Sequence, residues 1–76
     1  MPIGVVITFH DADNKAWVKV SETDLNHLVG HKARFASSKR MHFEGKVIGV
    51  ETDLLVVKFE QHPPGLRQGS QLSIAD

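Results

Sequence analysis

What most constrains this chain is a period-two alternation of apolar and polar residues. It restarts in six short runs, each cut off by turn-forming residues. Period two places successive side chains on opposite faces of an extended strand. Ile3, Val5, Ile7 and Phe9 alternate with Gly4, Val6 and Thr8, and Ala16-Trp17-Val18-Lys19-Val20 alternates again after the polar stretch His10-Asp11-Ala12-Asp13-Asn14-Lys15. Asp and Asn bond their own backbone and tolerate tight bends, so the two runs predict a β-hairpin. Its expected inner face is Ile3, Val5, Ile7 and Phe9 against Ala16, Val18 and Val20, which leaves Trp17 outside beside Lys19.

Residues 21–30 are the only stretch with a helical pattern. Leu25, Leu28 and Val29 fall at i, i+3 and i+4, Ser21 with Asp24 resembles a weak capping box, and Gly30 suits a left-handed stop. Fewer than three turns fit, so only packing could hold such a helix. Alternation then returns. In residues 31–36, Ala33 and Phe35 oppose Lys32 and Arg34, and Ser37-Ser38-Lys39-Arg40 reads as a turn. A long strand over 41–50 places Phe43, Gly45, Val47 and Gly49 on one face, and two glycines so spaced mark close backbone approach or a bend. After the turn Glu51-Thr52-Asp53, the run Leu54–Glu60 is apolar on both faces at its start, which predicts a central strand or an interface. A Pro/Gly-rich loop over 61–70 leads to a last strand with Leu72 and Ile74 inward.

Short strands with frequent turns predict a small closed or nearly closed barrel, with bends at glycines to close it. The chain is expected to be one domain over residues 1–76. With 76 residues and no Cys it lacks the disulfides that staple many domains of this size, so association into a homo-oligomer is expected. No apolar run approaches the length of a membrane span, and Met1-Pro2-Ile3-Gly4-Val5-Val6 does not read as a secretory leader. A cytoplasmic setting without membrane partners is the expectation.

Nine Lys+Arg balance nine Asp+Glu, but unevenly along the chain. Residues 31–46 hold Lys32, Arg34, Lys39, Arg40 and Lys46 against the single acid Glu44, whereas acids outnumber bases on both sides of this stretch. A phosphate-binding patch needs such clustering rather than net charge. These five residues and Arg67 are therefore the candidate nucleic-acid-binding set, with the hairpin turn expected to bring the five onto one lobe. The alternative is a solvated hairpin. The five histidines suggest a metal, yet His27 and His31 flank Gly30, and His10-Asp11-Ala12-Asp13 offers too few ligands, so neither metal nor cofactor is expected. No nucleophile elbow, phosphate loop, dinucleotide fingerprint or zinc-protease motif occurs, and no enzyme is expected.

The stretch from Leu25 to Leu55, with Gly30 and Gly45 around a short first strand and a bent second one, resembles the first motif of the Sm/LSm family of RNA-binding barrels. The tail Leu66-Arg67-Gln68-Gly69-Ser70 before the last strand is similar to the family's second motif, so the resemblance covers about residues 25–74. Thr52 and Leu55 stand where the family carries a base-holding Asp and Asn, Gln68 separates Arg67 from Gly69, and the N-terminal hairpin is additional. The expected fold is thus all-β: a five- to six-stranded SH3-like or Sm-like barrel with an N-terminal hairpin and one short helix. The resemblance implies binding of single-stranded RNA and a ring, closed by the strand near Leu54–Phe59 against the last strand of the next copy. A protein-interaction or assembly module with no nucleic-acid role is the alternative expectation.

Overall fold

The computed structural model describes residues 2–37 and 39–75; Met1, Asp76 and Ser38, which belongs to the expected turn, lie outside the described residues. Six strands form: β1 (Ile3–His10), β2 (Lys15–Lys19), β3 (Lys32–Ala36), β4 (His42–Glu51), β5 (Leu54–Phe59) and β6 (Gln71–Ile74). All pair antiparallel and close a barrel in the order β1-β2-β5-β4-β3-β6. The all-β barrel expected from the alternation is what the chain adopts.

The interior is built as the period predicts on most strands. Ala16 and Val18, Ala33 and Phe35, Leu55, Val57 and Phe59, and Leu72 and Ile74 are buried in one cluster, with Val47 beside them. Phe43, expected inside, is half-buried against that cluster. Gly45 makes room for β5. A Cβ there would stand 2.9 Å from the Lys58 carbonyl oxygen, 2.9 Å from Val57 Cγ1 and 3.1 Å from Phe59 Cδ1. The doubly apolar β5 is central, flanked by β2 and β4. Val56 points outward yet is buried, outside the core cluster and directly across from Trp17 of β2. The indole, left outside by the alternation, is the large side chain directly across from it.

β1 corrects the sequence reading. Ile3, Val5 and Ile7, expected inside, are 51%, 38% and 37% exposed, whereas Val6 is fully buried and only Phe9 packs inward as expected. The cause is a β-bulge: Phe9 opposes Ala16 and Thr8 opposes Trp17, but Val6 opposes Val18, so Ile7 is an extra residue that resets the phase. Gly4 then faces inward, where a Cβ would collide with Val18 Cγ1.

The expected helix shrinks to one 3-10 turn, Asn26–Leu28. The Ser21 cap does not form. Asp24 Oδ1 instead accepts from the Asn26 N–H at 3.2 Å. Leu25 and Leu28 are buried but Val29 is 42% exposed, so the segment has too narrow an apolar stripe to earn a longer helix. Gly30 does adopt the left-handed conformation, φ 92°, and its N–H donates to the Val47 carbonyl at 2.8 Å, stitching the turn to β4.

Closure also bears on the expected ring. β5 is paired on both sides, by β2 and β4, and β6 by β1 and β3. The N-terminal hairpin occupies the edges through which neighbouring copies would have joined.

Candidate nucleic-acid interface

β3 turns Ala33 and Phe35 into the core, so Lys32 and Arg34 face outward; β4 does the same with Glu44 and Lys46. The register then decides which charges meet. Lys32 stands opposite Lys46, and Arg34 opposite Glu44. The second pair is an ion pair at 3.2 Å, so Arg34 is engaged within the hairpin. Lys39 and Arg40 are exposed in the turn beyond Ala36. The four-residue rise from Lys32 to Ala36 places that turn more than about 13 Å from the Lys32–Lys46 pair. The five bases expected on one lobe therefore divide into two groups, with a neutralised pair between them.

Lys39 borders a shallow cleft of about 240 Å³ that Met41, Phe43, Pro64 and Gly65 also line, so the turn lies against the loop between β5 and β6. Arg67 belongs to that loop, is exposed, and donates its backbone N–H to Ser70 Oγ at 3.0 Å. The antiparallel order puts these three bases at the same end of the barrel as the β1–β2 loop, which carries Asp11 and Asp13.

Two residues that the sequence did not single out complete a different arrangement. Lys46 faces Lys32 on one side and Lys58 on the other, and Lys58 in turn faces Lys15. Four lysines thus stand in one unbroken cross-strand row over β3, β4, β5 and β2. Lys32, Lys46 and Lys58 are exposed and Lys15 is half-buried. His10 of β1 lies opposite Lys15 and extends the row. Among the described residues, no carboxylate lies within 4.0 Å of any of the four ammonium groups. The Cβ atoms of directly opposed residues in a sheet are about 5 Å apart, so neighbouring ammonium groups can come within the screening length of about 8 Å in physiological salt. Like charges directly opposed in this way are destabilising.

Apolar surface borders the row on one side. Trp17 follows Lys15 on the same face of β2, with Val56 across from it. The indole is held from two directions: its ring centroid is 4.6 Å from that of His10, tilted by 55°, and its Nε1–H donates to Glu51 Oε2 at 3.3 Å.

The signal for Lys58 is a second bulge. Glu51 opposes Leu54, Val50 opposes Leu55 and Gly49 opposes Val56, but Val47 opposes Val57, so Ile48 is extra. Counting back from the turn without that bulge sets Lys58 against Val47. With it, Lys58 meets Lys46. Lys15 is reached only through the pairing of β2 with β5, which are far apart in sequence.

The histidines do not gather as their spacing suggests. His27 Nε2 lies 3.2 Å from Glu22, whereas His31 Nδ1–H donates to the Ala75 carbonyl at 2.6 Å. Among the described residues, no group of three or more His, Asp or Glu is placed to hold a metal ion, and no helix is long and apolar enough to cross a membrane.

Fold and surface together define a small closed six-stranded barrel with a lysine row on its outer wall. Compared with protein-family models and with curated proteins, the sequence matches none.

Proposed function

We propose that this barrel is a non-enzymatic module that binds nucleic acid, RNA in the first place, through the phosphate backbone and by way of the β3–β4 hairpin. The observation that carries this reading is the Lys32–Lys46 pair: two adjacent cations with no carboxylate in reach among the described residues. A polyanion relieves their repulsion and releases its own counterions on binding. Lys39, Arg40 and Arg67 form a second, weaker group at one end of the barrel, and Arg34 positions Glu44 rather than a ligand. The Sm-like reading supports RNA as the ligand. In support of that reading, a short strand follows Gly30 and a bent strand holds Gly45, although a 3-10 turn stands in place of the short helix.

The test is a salt titration with a short single-stranded RNA. Lys32→Ala/Lys46→Ala should lower the slope of log affinity against log salt by about 1.4, two contacts at roughly 0.7 each. Melting should stay within a few degrees of the parent, because both side chains are exposed. A parent protein that binds no RNA at 50 mM salt, on the order where phosphate contacts are strongest, overturns the reading.

One observation favours a second reading, an assembly module. Ile3, Val5 and Ile7 form an exposed apolar strip on the outer face of β1. Copies or partners would then meet through this face, since the strand edges are used. Light scattering after size exclusion separates the two: a mass of 8.4 kDa at micromolar concentration removes self-assembly.

A further inference from the structure

The lysine row continues past the hairpin, and its course over the barrel selects the form of its ligand. We infer that the ligand is a single strand of nucleic acid that crosses β3, β4, β5 and β2 on the outside of the barrel, with phosphates on Lys32, Lys46, Lys58 and Lys15 and a base stacked on the His10–Trp17 pair. This rests on the nucleic-acid reading above and extends it to a site of four strands and a stacking platform.

Three features of the row argue for a single strand. First, it spans three of the six strand-to-strand steps of a closed barrel, half of its circumference. Second, it travels along the barrel as well as around it. Lys15 opens β2 at one end and Lys32 opens β3 at the other, because the strands tilt and stagger on closing. A ligand touching all four lysines must follow a curve around a body only 32 × 25 × 20 Å across. A duplex, stiff over about 150 base pairs, cannot bend around so small a radius, whereas a single strand can. Third, the row ends at an aromatic pair already fixed in place. His10 and Glu51 hold the Trp17 indole beside Lys15, so a base can stack there without first ordering the ring. Aromatic platforms next to a cationic track are how proteins hold single strands with little regard to sequence. Thr52 and Leu55, which replace the base-holding pair of the resembling family, play no part in this site.

Trp17 is the only tryptophan in the chain, so intrinsic fluorescence reports on the platform alone. The experiment titrates the full chain with oligouridylate, with oligothymidylate, and with a duplex RNA of equal length. Single strands should quench Trp17 in step with binding, with a salt slope of about −2.8 for four contacts. Lys58→Ala/Lys15→Ala should halve that slope, while Lys19→Ala, on the same strand as Lys15 but outside the row, should leave it unchanged. The duplex should bind at least about tenfold more weakly, since it reaches only part of the row. Because Trp17→Ala also removes the large side chain across from Val56, fluorescence of the parent protein is the decisive measurement of stacking. The inference is overturned, and the hairpin reading stands, if RNA binds while Trp17 fluorescence is unmoved, the slope survives loss of Lys58 and Lys15, or the duplex binds as well. Absence of binding by any nucleic acid overturns both.

Discussion

β1 and β4 each carry one residue more than the strand they pair with, Ile7 in one and Ile48 in the other, and both bulges shift the phase, yet what they place on the surface differs. In β4 the extra residue keeps the polar side chains outside, but it turns Val50 inward in place of Gly49, which the unbroken alternation had put on the inner face with Phe43, Gly45 and Val47. Val47 lies inside before it, Val50 packs against the core after it, and Lys46 and Glu51 stay outside. In β1 the extra residue exchanges one apolar set for another: Val6 goes in, and Ile3 and Val5 come out. The difference lies in the sequences themselves. β4 has one polar face, so solvation fixes its phase on either side of the bulge. The part of β1 before its bulge, Ile3–Val6, carries no polar side chain on either face, so solvation does not fix its phase, and packing against Val18 does.

The largest expected effect probes the side of β4 that precedes its bulge. Phe59 is buried against Gly45, and Phe59→Ala should cost about 3–5 kcal/mol, a large share of the stability of so small a domain. A melting temperature within two degrees or so of the parent would break the assignment of Phe59 to the core.

The two glycines of β4 sharpen the comparison next. Gly45→Ala should destabilise by roughly 1–3 kcal/mol, since its Cβ would press on the backbone of β5. Gly49→Ala, just past the bulge, meets nothing within 4 Å and should be neutral or stabilising by up to about 1 kcal/mol. Denaturant midpoints of the two variants, measured side by side, decide it; equal losses would mean that the strand is not bent away at Ile48.

The smallest effect tests β1 directly. Val6→Ala should cost about 1.6 kcal/mol for two buried carbons, against about 0.5 kcal/mol or less for Val5→Ala. The reverse ranking would restore the unbulged phase, with Ile3, Val5 and Ile7 inside.

The candidate site shows the same division between what is local and what is not. Lys32 and Lys46 were legible as outward residues of one hairpin, because Ala33, Phe35 and Val47 mark the inner face. That Arg34 would be spent on Glu44, and that Lys39 and Arg40 would sit apart from the pair, depends on register and on distance along the strands. Lys58 and Lys15 were not legible as site residues at all. Each lies in a stretch where acids outnumber bases, and linear charge counting cannot see a row that runs across strands.

The strand class, the positions of nearly all the turns and the inner faces of β2, β3, β5 and β6 can be read from the residues alone, because they rest on a two-residue period and on turn chemistry that neighbours in the chain supply. The remaining features are set by contacts between distant strands. Closure of the barrel by the N-terminal hairpin, the phase of β1 and the four-lysine row each depend on which strands lie side by side and on where one extra residue is inserted. A bulge changes no residue type and little local propensity, but it moves every residue beyond it by one step against the neighbouring strand. At Ile48 that one step brings Lys46 opposite Lys58, and at Ile7 it turns Val6 into the core in place of Val5.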